Sequence, residues 1–210
     1  MRRLRTAAVA GVLLLAGAIL LSPGCQRSPE GELPPRPERP ANREASEHPA
    51  VGKRLSELKV IALDDASKSV TLADLSGKVV LVDLWGPWCP PCRWELPHIA
   101  ALGQKYRSSP GFQLLAVSSG QTMPENIDRL RKETRAFLKD AGLELPTYLD
   151  PGFVTRRAFA EARDLTRLSF PTTFVMDRRG VIRDVWVGYS PSVPEQIDQT
   201  IAQLLEEKAN

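Results

Sequence analysis

From Val51 onward, apolar positions fall into short runs separated by polar turns. Leu58–Leu63 reads as a strand, and Val70–Leu72 as a second, shorter one. Val79–Trp85 is a β-branched apolar run broken by one acid, Asp83, and predicts a strand covered on both faces. Cys89–Tyr106 has helical spacing, with Leu96, Ile99, Ala100 and Leu102 facing inward. Phe112–Val117 is another buried strand. Pro124–Ala141 is an amphipathic helix that sets Ile127, Leu130, Phe137 and Leu138 against many charges. Pro146–Leu149 reads as a short strand and Phe153–Ala162 as a helix. Thr172–Met176 and Val181–Val187 are strands joined through Asp177-Arg178-Arg179-Gly180, a hairpin signal. Val193–Glu207 closes the chain as a helix. Strands alternating with helices, then a terminal hairpin and helix, predict an α/β fold with helices on both faces of the sheet.

Upstream of Val51 the pattern is different. Arg2, Arg3 and Arg5 lead into Ala7–Leu21, fifteen residues without a charge, followed by Ser22-Pro23-Gly24-Cys25. A basic leader, a short apolar stretch and small residues before a cut describe a secretory signal over residues 1–24. The run is shorter than the about 18–20 residues of an ordinary membrane-spanning helix. Cys25 directly after Gly24 resembles the end of a bacterial lipoprotein signal, in which the cysteine becomes the lipidated first residue. The alternative is an uncleaved N-terminal anchor. Either reading puts the body outside the cytoplasm, on the periplasmic side, tethered to a membrane. Residues 25–50 form the tether. Its Gln26–Ala50 part holds six prolines and nine Arg or Glu, with Leu33 as its one large aliphatic residue. Such a segment buries too little apolar area to offset its ordering entropy, and proline keeps it extended. Residues 51–210 are then the folded domain.

Composition narrows the function. The chain has 210 residues, 42% apolar and 25% charged, which suits one globular domain with a tail. Lys plus Arg is 28 and Asp plus Glu is 25; without the three leader arginines the counts are equal. A neutral body argues against nucleic acid as a partner, which needs a basic face. Three cysteines are too few for a disulfide-stapled scaffold.

The chemistry sits in Trp85-Gly86-Pro87-Trp88-Cys89-Pro90-Pro91-Cys92. A zinc site would need two further ligands at suitable spacing. Cys25 is the only other cysteine, and the two histidines, His48 and His98, lie in the tether and on the helix. A redox dithiol needs only the Cys89/Cys92 pair, at a strand-to-helix junction where the first sulfur meets the helix N-terminus. No metal or other cofactor is expected.

At this point the chain resembles a known family. Leu81-Val82-Asp83-Leu84-Trp85 followed by Trp88-Cys89-Pro90-Pro91-Cys92 is similar to the thioredoxin active-site segment. Asp83 stands six residues before Cys89, Pro97 five after Cys92, and Phe170-Pro171-Thr172-Thr173-Phe174 resembles the segment with that fold's cis-proline. The export signal, the tether, Cys92-Arg93-Trp94-Glu95-Leu96-Pro97 and the extra helix and strand before Pro171 narrow the resemblance to TlpA/ResA-like membrane-tethered thioredoxins. It implies a central mixed sheet flanked by helices on both faces, with a helix–strand insertion before the cis-proline segment.

The resemblance also implies roles. Cys89 is the exposed nucleophile and Cys92 the resolving thiol. Pro90 and Pro91 bring no N–H to the helix start, so only a moderate depression of the Cys89 pKa is expected, nearer the ~7 of thioredoxin than the ~3.5 of strong oxidants. Asp83 in its apolar strand is expected to be buried and to relay a proton. Glu95, one turn beyond Cys92, is expected to tune the cysteines. Pro171 is expected to be cis and, with Phe170 and Trp88, to contact substrate. Trp85 reads as core and His98 as surface.

Three function classes follow. The first is a thiol–disulfide oxidoreductase that reduces disulfides in selected exported proteins, such as apocytochrome c or copper-site cysteines. A reductant outside the cytoplasm works against an oxidising environment, so a membrane thiol electron donor is inferred as its partner. The second is a peroxiredoxin-like thiol peroxidase, which usually has Thr or Ser three residues before its cysteine, where Gly86 stands. The third is a copper-handling thiol protein; three Met and two His in the whole chain weigh against it.

Overall fold

All seven residues of the Val79–Trp85 run are buried, and the sheet is built around them. The structure is a computed structural model that describes residues 47–122, 126–163 and 168–207. The signal segment, Cys25, the tether up to residue 46 and the Pro124 start expected for a helix lie outside the described residues.

The elements in chain order are β1 (Lys59–Ala62), β2 (Ser69–Thr71), β3 (Val79–Trp85), α1 (Pro90–Tyr106), β4 (Phe112–Ser118), α2 (Ile127–Ala141), β5 (Thr147–Leu149), α3 (Val154–Ala162), β6 (Thr172–Met176), β7 (Ile182–Val187) and α4 (Val193–Glu206). They follow the expected segments to within a few residues, and side-chain caps explain two of the shifts. Asn126 accepts a hydrogen bond from the Arg129 N–H at 2.9 Å, which starts α2 at Ile127. Cys89 is itself the N-cap of α1, so that helix begins at Pro90.

The strands form one mixed sheet in the order β2-β1-β5-β4-β3-β6-β7. β3 runs parallel to β4 and antiparallel to β6. β5, from the stretch between β4 and β6, pairs parallel with β4 and antiparallel with β1. The β6–β7 turn is held by Asp177, whose Oδ1 accepts from the Arg179 and Val181 N–H groups, with Gly180 at φ 77°.

Alternation along the strands divides the core into two faces. On one face Val80, Val82, Leu84, Leu115, Val117, Phe174 and Met176 pack with Phe159 of α3. On the other, Val79, Leu81, Leu114 and Val175 meet Ile99 of α1 and Ile197 and Ile201 of α4. Farther along that second face, Trp85 and Ala116 pack with Leu96 of α1 and Leu130 and Leu138 of α2. Helices therefore cover both faces. Asp83 shares the second face with Leu81 and Trp85, beneath α1.

Phe159 anchors the α3 side. It is fully buried and its ring stacks on Phe174 with centroids 4.4 Å apart. Phe159→Ala is expected to lower stability by about 3–5 kcal/mol, read as a lower urea midpoint of the oxidised full-length chain. A midpoint equal to that of the wild type would show that α3 does not hold this face.

Candidate active site

The end of β3 delivers the chain to the start of α1 through Gly86, Pro87 and Trp88. A side chain does not fit at Gly86: a Cβ there would lie 2.4 Å from Trp88 Nε1 and 2.8 Å from the Ser119 carbonyl oxygen. The same two groups bond each other, Trp88 Nε1 donating to Ser119 O at 2.8 Å. The indole is thus fixed against the end of β4.

Cys89 and Cys92 form a disulfide across the first turn of α1, with Cα atoms 5.3 Å apart. Pro90 and Pro91 supply no N–H, and the Cys92 N–H, 3.3 Å away, donates to Cys89 Sγ. The expectation that Cys89 is exposed does not hold in this disulfide form. Cys89 is 2% exposed and Cys92 1%. The cluster that buries both sulfurs takes in Trp85 and Leu96, with the half-buried rings of Trp88 and Phe170 packed on it. Those two rings meet edge to face at 5.1 Å. The two cysteines differ in helix position: Cys89 is the cap, whereas Cys92 lies inside the first turn.

The Phe170–Pro171 peptide is cis, and Pro171 is buried. Its carbonyl accepts from the Gly188 N–H at 2.8 Å, which draws the β7–α4 connection alongside. The guanidinium of Arg156 lies 5.1 Å from the centre of the Phe170 ring.

Both carboxyls lie inside. Asp83 is fully buried and Glu95 is 1% exposed. Glu95 belongs to the buried stripe of α1 with Cys92, Leu96, Ile99 and Leu102, so the helical period carries it inward. Asp83 faces Thr173 across the β3–β6 pair. Thr173 Oγ1 lies 3.2 Å from Asp83 Oδ1 and 3.2 Å from Glu95 Oε1. The other oxygens, Asp83 Oδ2 and Glu95 Oε2, have no hydrogen-bond partner among the described residues. Burial pushes Asp83 up to about 7, against the pull of the Thr173 hydroxyl. Glu95 is raised well above the usual carboxylate range, first by burial and then by the charge of Asp83.

The motif left two neighbours unread. In sequence Thr173 belongs to the proline segment; its place opposite Asp83 depends on strand register. Tyr189 stacks on His98 with centroids 5.8 Å apart, and its hydroxyl lies 3.1 Å from His98 Nε2. Burial and the nearby charge of Glu95 raise the Tyr189 phenol. His98 is on the surface and Trp85 in the core, as read from the sequence. Beside Trp88 and Arg93 a groove of about 880 Å³ opens toward α2, floored by Leu130 and Phe137.

A mixed sheet flanked by four helices, with a cysteine pair at the start of α1 and a cis-proline leading into β6, is a thioredoxin-like fold. Residues 51–185 match the AhpC/TSA family, and the chain belongs to that family. It is 33% identical over 118 residues to thioredoxin-like protein YneN of Bacillus subtilis (strain 168), covering 56% of this chain and 61% of that one. It is 32% identical over 125 residues to thiol-disulfide oxidoreductase ResA of the same organism, covering 60% and 62%. The matched stretches thus span about three fifths of the length of these two relatives. A secreted thiol-disulfide isomerase from Corynebacterium glutamicum shares the fold at TM-score 0.59 and 23% identity, over 87% of this chain and 97% of that one. These relatives agree with the TlpA/ResA-like resemblance of the motifs.

Burial of Asp83 has a consequence for stability. Its pKa in the folded state, about 7, lies above its ordinary value of 3.8. Between those values the folded chain holds more protons than the unfolded one, so stability falls as pH rises through this window and levels off above it. Asp83→Asn removes that loss. The variant is expected to gain on the wild type by a few kcal/mol between about pH 4 and pH 8, in urea unfolding of the oxidised protein. A gap that does not change with pH would mean that Asp83 ionises freely in the folded state.

Proposed function

We propose that the protein is a thiol–disulfide oxidoreductase that reduces disulfides in selected exported proteins through Cys89 and Cys92. The observation that carries this reading is the Cys89–Cys92 disulfide at the N-terminus of α1, where Cys92 shares the buried helix stripe of Glu95. The names of the relatives support the reaction class.

In the reduced protein, the Cys89 thiolate attacks one sulfur of a target disulfide. That S–S bond breaks, a mixed disulfide forms, and the target's other sulfur leaves and takes up a proton. Cys92 then loses its proton and attacks Cys89 Sγ. The Cys89–Cys92 bond forms and the target leaves with its second thiol. Two electrons pass to the target. A membrane thiol donor returns the disulfide to the dithiol. The helix N-terminus and the Cys92 N–H favour negative charge at Cys89. Asp83 and Glu95 hold and release the protons that the two sulfur steps consume and supply. Trp88, Phe170 and Pro171 receive the target chain around the sulfurs.

The peroxidase alternative meets a steric obstacle. The Thr or Ser expected three residues before the cysteine has no room at Gly86, between Trp88 Nε1 and the Ser119 carbonyl.

In this reading the domain works outside the cytoplasm, held to the membrane by lipid on Cys25 and the proline-rich tether. Mature protein analysed by mass spectrometry is expected to begin at a lipid-modified Cys25. An intact N-terminus, or a cut elsewhere with Cys25 bare, would exclude lipidation.

Cys92→Ser is expected to accumulate mixed disulfides with target proteins, with peptide mapping placing the bond at Cys89. In the reduced wild type, alkylation at neutral pH is expected to label Cys89 well before Cys92. Faster labelling of Cys92 would reverse the two roles.

A further inference from the structure

Thr173 Oγ1 is 3.2 Å from an oxygen of each buried acid. A hydroxyl carries one hydrogen, which it gives to one acceptor at a time. The second contact is a hydrogen bond only if the other carboxyl brings its own proton. With one proton on the pair, the chain closes: the neutral acid donates to Oγ1, and Oγ1 donates to the carboxylate. With none, one carboxylate oxygen faces the Thr173 oxygen without a hydrogen between them. With two, one acid donates to Oγ1 and Oγ1 donates to the carbonyl oxygen of the other, but that bond is neutral and weaker than the charge-assisted bond to a carboxylate. The site therefore fits the singly protonated pair better than either neighbouring state.

We infer that Thr173 is a positioning residue that joins Asp83 and Glu95 into one unit holding a single proton, exchangeable between the two acids through its hydroxyl. The use of that proton in catalysis rests on the oxidoreductase reading above. Thr173 widens the pH range over which the pair keeps one proton, by easing loss of the first and hindering loss of the second. The unit is then ready both to give a proton to a leaving thiolate and to take one from Cys92.

The surroundings suit such a unit. β3 brings Asp83, α1 brings Glu95 with the cysteine pair at its start, and β6 brings Thr173. From the β7–α4 connection comes Tyr189, whose phenol is raised above its ordinary value by burial and by the charge of Glu95. His98, on the outer side of α1, pairs with Tyr189. The hydroxyl spans acids 90 and 78 residues away in sequence, so only the assembled fold creates the unit.

The test is a carboxyl-carbon NMR titration of the oxidised full-length chain, in which the disulfide keeps Cys89 and Cys92 from titrating. Wild type is expected to show two well-separated steps, each visible at both Asp83 and Glu95. Thr173→Val, which keeps the shape but loses the hydroxyl, is expected to draw the steps together by about one pH unit, the size of one charge-assisted hydrogen bond. Thr173→Ser is expected to keep the wild-type separation. If Thr173→Val fails to fold, Thr173→Ala is read in the same way. Steps equally far apart, or farther apart, without the hydroxyl would overturn the inference, and so would failure of Thr173→Ser to match wild type. Mixed-disulfide trapping by Cys92→Ser separates this result from the underlying reading. If Cys92→Ser traps exported proteins at Cys89 while Thr173→Val titrates unchanged, only the role of Thr173 falls. If Cys92→Ser traps none, the oxidoreductase reading falls, whatever the titration shows. If exchange by Asp83→Asn and Glu95→Gln follows the wild-type pH profile, the acids hold their proton without using it in catalysis.

Discussion

Two carboxyl groups meet one hydroxyl in the interior of this protein, and the site is organised by the cost of that arrangement. A carboxylate taken out of water loses strong solvation, and a second one beside it adds repulsion. The fold answers by keeping these acids partly neutral, as the raised pKa directions of Asp83 and Glu95 express. Burial that weakens the folded state near neutral pH also moves the titration of Asp83 up to that range.

The scaffold holds that arrangement from three sides. β3 is the central strand, paired with β4 and β6 and buried along its whole length. An acid in its middle has no route to water along the strand. α1 lies on the Asp83 face and turns Glu95 inward on the stripe that also carries Cys92. β6 starts after the cis-proline peptide, so one segment supplies both Pro171 beside the active-site rings and Thr173 beside the acids. The cysteine pair and the two acids are thus carried by α1 and by the paired strands β3 and β6.

At the surface end the constraint is steric. Trp88 is tied to the end of β4 through Ser119, and its edge-to-face contact with Phe170 joins the cysteine loop to the proline segment. Gly86 lets the chain turn under the indole where any side chain would collide with it. Both rings pack on the cluster that buries the disulfide.

The sequence alone determined the order and nature of the elements, because apolar period and turn chemistry are local. The Val79–Trp85 and Thr172–Met176 strands were read to the residue. Asp83, Cys89, Cys92 and Glu95 are legible as a set because they lie within one short stretch of sequence, and Pro171 is legible through the resemblance of Phe170–Phe174 to a cis-proline segment. Even the burial of Glu95 was within reach, since Cys92, Leu96 and Ile99 share its helical stripe. Tertiary structure decided what those residues touch. Strand register put Thr173 opposite Asp83, and helix docking put Glu95 on the same hydroxyl. Ring packing closed over Cys89, against the expectation of an exposed sulfur. A register set by contacts about ninety residues apart leaves no local periodic trace, so that pairing exists only once β3 and β6 lie side by side.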